Sequence, residues 1–267
     1  MNAMNLLHQS HVLITGASSG LGREFARQLA PRASVLVLVA RRLERLEALK
    51  AELERPGLEI HCRQVDLADG AEVEELISWL SSAGIPLNFL INNAGLGDRG
   101  RFETGEWERV REMLDVNIGA LTRLTHALLP TLKAQAGAAI LNVSSIAGFF
   151  PIPKMAVYAA TKAYVTSFSE SIRAELRGTG VRVTTLCPGP VSTEFGQVAN
   201  RAEEIAEKLH SPNLLRMPAE KVVADALRAV EADRPRVLPG WRVALLAAVV
   251  SLVPITLLRC LLNHRGR

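Results

Sequence analysis

The feature of this 267-residue sequence that most constrains its fold is a regular alternation of short aliphatic runs and longer segments with helical period. The aliphatic runs lie at 12–15, 35–40, 60–65, 89–92, 139–144 and 182–187, with a last short one at 236–238. The helical segments lie at 20–29, 42–54, 71–83, 107–132 and 157–177. Strands and helices in alternation indicate a parallel sheet with helices on both faces, and near-continuous apolar strands fit a sheet covered on both sides. We therefore predict an α/β fold, a doubly wound parallel sheet in three layers (α/β/α), built as a single domain.

The composition supplies enough apolar material for such a core. Hydrophobic residues make up 48% of the chain and charged residues 22%, while aromatic residues make up only 4%, so aliphatic side chains must fill the interior. The formal net charge is +4 with basic residues scattered along the chain, which gives no sign of a nucleic-acid surface. A modest positive bias suits an anionic cofactor.

The cysteines and the N-terminal residues bear on the cellular compartment. Cys62, Cys187 and Cys260 are far apart in the sequence and form no CxxC pair. We interpret them as reduced thiols in a reducing compartment, and no residues have the spacing of a metal site. Residues 1–11 lack the basic end and apolar run of a signal peptide. We expect a cytoplasmic protein without a metal.

A glycine-rich turn follows the first predicted strand directly. Residues 15–22 read TGASSGLG. Glycines let the backbone turn tightly and approach a pyrophosphate without Cβ clashes, and the helix that begins here directs its N–H groups and dipole at the same place. Three glycines alone would also fit a plain strand–helix connection, but their position after the first strand of an alternating chain favours a nucleotide site. The spacing GxxxGxG differs from the commoner GxGxxG fingerprint.

The end of the second predicted strand indicates which dinucleotide binds. An NAD site usually carries an acidic residue there, which binds the ribose 2′-hydroxyl. Here the strand ends in Arg41 and Arg42, and no carboxylate is present. Because arginine suits bidentate contact with a 2′-phosphate, we predict NADP, with NADPH preferred over NADH. The alternative is that both arginines are ordinary solvated residues at a helix start.

Further motifs follow in order along the chain. Residues 92–95 read NNAG, Asn117 lies in a helical segment, residues 158–162 read YAATK, and residues 188–189 read PG. Ser145 lies thirteen positions before Tyr158. Together with TGxxxGxG, these motifs resemble those of the short-chain dehydrogenase/reductase family over roughly residues 10–235. The resemblance implies a Rossmann-like fold and an oxidoreductase that transfers hydride between a nicotinamide cofactor and a carbonyl or alcohol substrate.

The last motif has a chemical rationale. Tyrosine and lysine four positions apart share one face of a helix, and an ammonium beside a phenol lowers the pKa of the phenol. The resemblance implies that Tyr158 exchanges the proton with the substrate oxygen, while Lys162 lowers the pKa of Tyr158 and holds the nicotinamide ribose. It implies that Ser145, rather than its neighbour Ser144, hydrogen-bonds the substrate oxygen. Asn117 would keep a water-linked proton path to Lys162. Taken singly, each of these residues also fits an ordinary polar position on a helix or strand end.

The resemblance also implies which residues contact the cofactor. Asp66 would bind the adenine amino group, unless it only caps the end of its strand. Asn92 would lie near the adenosine ribose, Asn93 would brace the sheet, and Thr193 would face the carboxamide. The predicted cofactor contacts are Gly16, Ser18, Ser19, Gly20, Leu21, Gly22, Arg41, Arg42, Asp66, Leu67, Asn92, Ala94, Gly95, Tyr158, Lys162, Pro188, Gly189, Val191 and Thr193.

Two regions interrupt the alternation. In the family the segment at about 190–217 closes over the substrate, and its apolar residues, with those at 149–152, favour an apolar substrate unless they only pack the lid. Residues 241–267 extend a predicted domain at 1–240, and their uncharged run at 243–258 is broken by Pro254. This run is too short and kinked for a spanning helix, which needs about 20 residues. It packs on its own subunit, joins subunits, or lies in a membrane surface, with protein packing favoured.

The sequence leaves three functions open. An NADP-dependent carbonyl reductase, reversible as an alcohol dehydrogenase, is the leading hypothesis. The alternatives are a non-catalytic NADPH-binding regulator, which would typically have lost the tyrosine or lysine, and a membrane-recruited interaction protein, suggested only by the C-terminal residues. The resemblance further implies a homo-oligomer, a dimer or tetramer, acting on a small molecule.

Overall fold

A parallel sheet forms the centre of the computed structural model, which describes residues 6–200, 216–254 and 256. Its strands are β1 (His11–Thr15), β2 (Val35–Ala40), β3 (Glu59–Gln64), β4 (Phe89–Asn92), β5 (Ala139–Val143), β6 (Arg182–Leu186) and β7 (Arg236–Val237). They lie in the order β3-β2-β1-β4-β5-β6-β7, and every neighbouring pair is parallel. The chain therefore builds outward from β1 to β3 and then returns to place β4 on the other side of β1, which confirms the doubly wound sheet.

Helices cover both faces of this sheet. They are α1 (Gly20–Leu29), α2 (Leu43–Leu53), α3 (Gly70–Ser82), α4 (Trp107–Leu114), α5 (Leu121–Lys133), α6 (Ala156–Glu175), α7 (Phe195–Ala199), α8 (Ala219–Glu231) and α9 (Trp241–Leu252). Short 3-10 turns lie at Phe102–Thr104 and Ile146–Phe149. Most predicted strands and helices agree with these bounds to within one or two residues.

The core consists of two apolar layers, one on each face of the sheet. On one face Val12 and Ile14 of β1 join Phe25 and Leu29 of α1 and the apolar side of α8. On the other face Leu13 joins apolar residues of α3, α5 and α6. Successive residues of a strand point to opposite faces, so β1 contributes to both layers. The strand β2, which lies inside the sheet between β3 and β1, is buried along its whole length, as expected of a strand covered on both sides.

The helix predicted at 107–132 differs from the prediction in its middle. A π-helical segment at Asp115–Ala120 separates α4 from α5. The wider turn carries Asn117, which is buried. Hydrophobic periodicity does not distinguish a π-helical segment from a continuous α-helix, so this segment could not be predicted from the sequence.

The last described helix, α9, lies beside the 3-10 turn at Ile146–Phe149. Val243 and Ala247 of α9 are buried, whereas Leu245 and Val249 are exposed. The inner side of α9 thus packs on its own subunit, one of the three interpretations of the apolar run, while residues 255, 257 and 258 of that run lie outside the described residues. Within the described ranges, no helix is long and apolar enough to cross a membrane. The division into a domain at 1–240 and an extension at 241–267 stays a prediction.

Candidate active site

The predicted site residues meet at the carboxyl edge of the sheet, where the strand order reverses between β1 and β4. Gly16 follows β1, Asn92 ends β4, and Ser145 lies just beyond β5. In open α/β sheets this crevice, outside the carboxyl ends of the strands at the reversal point, is the usual ligand site.

The glycine turn after β1 is required by close backbone packing. Gly16 has a φ of 68°, and a Cβ there would lie 2.9 Å from Ala94 Cα. A Cβ on Gly22 would lie 2.2 Å from the carbonyl oxygen of Gly16. Asn93 holds the same corner, since its Nδ2 donates to the carbonyl oxygens of Thr15 at 2.8 Å and Gly16 at 3.2 Å. Asn93 therefore has the bracing position that the resemblance implied.

Arg42 links the second strand to the glycine turn. Its Nη2 donates to Ser18 Oγ at 3.2 Å and to Ser19 Oγ at 3.1 Å, beside the N-terminus of α1. A guanidinium, two hydroxyls and a helix N-terminus form a set of groups suited to phosphate. Sequence reasoning missed Arg45, in the first turn of α2, whose Nη1 lies 2.9 Å from Glu194 Oε2. Its position three residues after Arg42 on a predicted helix was the available signal.

Arg41 and Asp66 lie next to each other rather than beside these hydroxyls. Arg41 Nη1 is 3.8 Å from Asp66 Oδ2, and Asp66 Oδ1 accepts from the backbone N–H of Ala68 at 2.9 Å. Asp66 thus makes the capping contact that we weighed as its alternative role, and Leu67 is buried beside it. Their contact with adenine stays a prediction.

Asn92 lies deeper than predicted. Its side chain is buried, and Nδ2 donates to Thr125 Oγ1 at 3.0 Å and to Asn142 Oδ1 at 2.9 Å. These bonds tie β4 to α5 and β5. The side-chain Oδ1 of Asn92 is buried without a hydrogen-bond partner, and the predicted contact of Asn92 with the adenosine ribose stays a prediction.

Ser145, Tyr158 and Lys162 come together between β5 and α6. Lys162 Nζ donates to the carbonyl oxygen of Val143, at the end of β5, at 2.9 Å and lies 5.8 Å from the centre of the Tyr158 ring. The side chain of Ser145 interacts with the Tyr158 hydroxyl, and this interaction by itself lowers the pKa of the tyrosine. The i, i+4 spacing on α6 and the end of the neighbouring strand therefore place all three polar groups in one small volume.

Asn117 connects this cluster to the loop after β4. Its Oδ1 accepts from the N–H of Leu96 at 2.8 Å, and its Nδ2 donates to the carbonyl of Leu96 at 2.9 Å and to Thr161 Oγ1 at 3.0 Å. A Cβ on Gly95 would lie 3.2 Å from Lys162 Nζ and 3.3 Å from Asn117 Oδ1. Gly95 thus lies between Asn117 and Lys162, which is the neighbourhood the predicted proton path requires. Sequence reasoning missed Thr161.

Ser144 and Ser145 have different environments. Ser144 Oγ donates to the carbonyl oxygen of Lys162 at 2.8 Å and shares a bond of 2.8 Å with Thr166. Ser145 caps the following 3-10 turn by accepting from the N–H of Ala147 at 3.1 Å. Ser144 therefore anchors strand to helix, and Ser145 is the serine that reaches the tyrosine.

The acid–base properties of the pair differ from the prediction. Burial raises the pKa of Tyr158 to about 12, and its hydrogen bond with Ser145 only partly opposes this. Burial also lowers the pKa of Lys162 to about 8. The predicted lowering of the tyrosine pKa by Lys162 is therefore absent from the protein chain by itself, because the loss of hydration on burial dominates.

The segment after β6 covers this cluster. The Phe195 ring lies 5.6 Å from the Tyr158 ring, centre to centre, and a Cβ on Gly97 would lie 2.7 Å from Phe195 Cζ. Thr193 lies against the glycine turn, since a Cβ on Gly20 would lie 3.3 Å from Thr193 Cγ2. Sequence reasoning missed Gly97. The part of the predicted lid at 201–215, with its leucines, lies outside the described residues.

The remaining predicted contacts border the same crevice. The carbonyl oxygen of Pro188 accepts from the N–H of Ile146 at 3.0 Å, which holds the PG turn beside Ser145. Val191 pairs with Met217 in an isolated bridge. Leu21, Gly189 and Ala94 lie within or next to these turns.

The residues fit a dinucleotide on the evidence of the fold itself. A Cβ at Gly16 or Gly22 would clash with neighbouring backbone. Arginine and serine side chains converge beside a helix N-terminus. The half-buried Ser145 and the buried side chains of Tyr158, Lys162 and Asn117 follow along the same edge. In the parts of the chain that the structure describes, no three metal-ligating side chains lie together. Fold and site together define a nucleotide-dependent oxidoreductase.

Comparisons with known proteins agree with this class. The family model for short chain dehydrogenases matches residues 10–204. Sulfoacetaldehyde reductase of Chromohalobacter salexigens is 43% identical over 200 residues, 73% of this chain and 78% of that protein. The NADP-dependent 3-hydroxy acid dehydrogenase of Escherichia coli is 34% identical over 215 residues, 78% of this chain and 84% of that protein.

Solved structures give the same result. A short-chain dehydrogenase from Sphingobium yanoikuyae in complex with NADPH superposes with a TM-score of 0.78 at 33% identity, covering 88% of this chain and 89% of that one. A family member from Burkholderia phymatum in complex with NAD superposes with a TM-score of 0.79 at 25% identity, covering 91% and 92%. The chain belongs to the short-chain dehydrogenase/reductase family, and it is an oxidoreductase.

Proposed function

We propose that this protein is an NADPH-dependent carbonyl reductase, reversible as an alcohol dehydrogenase, in which Tyr158 is the proton donor. The observation that carries the proposal is the meeting of Ser145, Tyr158 and Lys162 beside the glycine turn. A regulator that binds cofactor without turnover has no need of this cluster. The intact tyrosine and lysine therefore argue against that alternative.

Each residue of the cluster has a definite task in this proposal. NADPH supplies the hydride when bound. Tyr158, whose pKa is about 12, holds its proton at neutral pH and gives it to the substrate oxygen as the alcohol forms. Ser145 donates a second hydrogen bond to that oxygen and stabilises its developing charge. Lys162, fixed on the Val143 carbonyl, brings positive charge to the site, and Asn117 positions the loop at Leu96.

Preference for NADPH over NADH rests on Arg42. Its contacts with Ser18 and Ser19 place a guanidinium beside the glycine turn, and β2 ends without a carboxylate that would bind a ribose 2′-hydroxyl. The NADPH complex of the Sphingobium relative supports this preference, while the NAD complex of the Burkholderia relative shows that both cofactors occur among similar structures.

Two substrate classes have support. The wall around Tyr158 is apolar, formed by Phe195 and by an apolar group that includes Met113, Leu96 and Ile152, which favours an apolar ketone or aldehyde. The names of the relatives, a sulfoacetaldehyde reductase and a 3-hydroxy acid dehydrogenase, favour a short polar carbonyl compound. The two classes differ by a charged group, so a small panel of substrates separates them.

The test is oxidation of NADPH and NADH against such a panel, with Tyr158→Phe and Tyr164→Phe compared in parallel. Tyr164 lies on the same helix, but its hydroxyl bonds Thr122 at 2.9 Å and its ring stacks on Phe168. We expect Tyr158→Phe to lose at least a hundredfold in kcat, the scale of general acid catalysis, while Tyr164→Phe stays near native. Equal activity of both variants would refute the assigned role of Tyr158.

We further propose a cytoplasmic homo-oligomer. Trp107 and Leu114 of α4, near the helices that carry Asn117 and Tyr158, are exposed large apolar residues of the kind that subunit contacts cover. Light scattering on the purified chain tests the mass. Sedimentation with liposomes tests the remaining idea, that the exposed side of α9 lies on a membrane surface.

A further inference from the structure

The start of α7 contacts the cofactor site at three points. Thr193 lies against Gly20 of the glycine turn, and Phe195 lies on the ring of Tyr158. Between them Glu194 reaches the arginines that follow β2. Three consecutive residues thus connect the phosphate turn, the arginines and the catalytic tyrosine.

The contact of Glu194 is bidentate and involves two cations. Its Oε1 and Oε2 accept from Arg45 Nη1 at 3.2 and 2.9 Å, and Oε2 lies 3.6 Å from Arg42 Nη1. These arginines hold the pKa of the Glu194 carboxyl below its usual value. The carboxylate is therefore charged at neutral pH and occupies part of the positive surface beside Ser18 and Ser19.

A ribose 2′-phosphate would need that same positive surface. Arg42 is the guanidinium that reaches the serine hydroxyls of the glycine turn, and Glu194 contacts the other side of it. A phosphate monoester carries close to two negative charges at pH 7, so a carboxylate on the same guanidinium repels it. A 2′-hydroxyl, which is neutral, meets no such repulsion.

We propose that Glu194 is an internal competitor of the 2′-phosphate for Arg42 and Arg45 and thereby weakens the discrimination between NADPH and NADH. The inference rests on the proposed NADPH dependence. Because Glu194 precedes Phe195, the same competition links recognition of the 2′-phosphate to the residue that covers Tyr158. Arg45 becomes part of the specificity set, although it follows the strand end by several residues.

The experiment is calorimetric titration of NADPH and NADH into native protein, Glu194→Gln and Glu175→Gln. Glutamine keeps the shape of Glu194 and one acceptor oxygen, and it removes the charge. Glu175 is an exposed residue at the end of α6, so Glu175→Gln controls for the change in net charge. Adenosine 2′,5′-bisphosphate and ADP, titrated separately, isolate the 2′-phosphate from the nicotinamide half.

We expect Glu194→Gln to bind NADPH and adenosine 2′,5′-bisphosphate about two- to fivefold more tightly, the scale of exposed ion pairs, with NADH and ADP unchanged. The gain should shrink as salt is raised, because exposed charges are screened. If Glu194→Gln binds NADPH no more tightly than the native protein, or if its affinity for NADH rises by the same factor, the inference about Glu194 is wrong. The proposed function would be unaffected by that result. Failure of the native protein to bind either nucleotide would overturn the proposed function as well.

Discussion

At the scale of single residues, the site keeps the charged side chain of Lys162 away from water, and its charged form is less stable there than in water. Lys162 is nearly fully buried, and burial lowers the pKa of its ammonium from 10.5 to about 8. Each pKa unit corresponds to about 1.4 kcal/mol, so the buried charge costs about 3 kcal/mol at neutral pH. Lys162 also donates to the Val143 carbonyl, and a methionine would lose this hydrogen bond, which contributes about 1 kcal/mol.

Lys162→Met should therefore inactivate the protein and stabilise it by about 2 kcal/mol at pH 7. The variant is expected to be more stable than the native protein because burial lowers the pKa of Lys162. Below pH 8 the lysine is charged in both the folded and the unfolded chain, so the full cost applies. Between pH 8 and 10.5 the folded chain loses this proton first, so native stability rises and the advantage of the variant shrinks. Denaturant unfolding at pH 7 and pH 10 measures both; a variant less stable than native at pH 7 would show that packing outweighs charge burial.

The same two groups predict how carbonyl reduction depends on pH. Tyr158, with a pKa of about 12, keeps its proton over the working range, while Lys162 loses its charge near pH 8. We expect kcat/KM for reduction to fall with a single ionisation as pH rises through about 8. Lys162→Arg should retain less activity with a flat profile, because arginine does not deprotonate in this range. A rate that climbs from pH 8 to 10 would contradict this assignment.

These residues could be named from the sequence, but their environment could not. TGxxxGxG, the serine–tyrosine spacing and YxxxK led to Ser145, Tyr158 and Lys162, and the structure brings these residues together. The direction of the tyrosine pKa was wrong, because it depends on burial by residues distant in sequence, among them Phe195 and Met113. Arg45 and Glu194 were missed for the same reason, since their pairing joins α2 to the segment after β6.

At the scale of elements, the site depends on how closely the 3-10 turn after Ser145 packs on α6. A Cβ on Gly148 would lie 2.6 Å from the backbone carbon of Lys162. That contact is with backbone, which has little freedom to move away. Ser145 can lie this close to Lys162 because residue 148 is a glycine and has no Cβ. Nothing in the sequence singled out Gly148, and the π-helical segment that carries Asn117 was equally hidden.

Gly148→Ala should consequently separate the turn from α6 or displace Lys162. We expect a loss of at least tenfold in kcat, with a destabilisation of about 1–3 kcal/mol. Gly70→Ala is the matched control, because nothing lies within 4 Å of a Cβ built at the start of α3. The readouts are steady-state kinetics and thermal unfolding. Native kinetics for Gly148→Ala would mean that the geometry of this turn does not limit catalysis.

At the scale of the whole molecule, the alternation of strands and helices predicted the sheet, its direction and its covering on both faces. It did not predict where the C-terminal apolar run lies, because an uncharged run can pack equally well on its own subunit, on a second subunit or on a membrane surface. The structure places α9 beside the turn that follows Ser145, with Arg236 lying over Phe149 of the same turn at 5.2 Å from the ring centre. The helix α9 thereby supports the turn that begins after Ser145.

The same substitution at two positions of α9 distinguishes a residue that supports the active site from one that lies on the outer surface. Val243 is 1% exposed and Val249 is 52% exposed. Val243→Ser should destabilise the protein by about 1–3 kcal/mol and lower kcat/KM, because a hydroxyl is buried and the turn at Ile146–Phe149 loses its backing. Val249→Ser should change stability by less than about 0.5 kcal/mol if its side faces water. Denaturant unfolding measures the stability of both variants, kinetics measures their kcat/KM, and light scattering measures their oligomeric mass. If Val249→Ser instead lowers the oligomeric mass or the stability as much as Val243→Ser does, the outer side of α9 is a subunit contact, and α9 joins two copies of the chain as well as supporting one site.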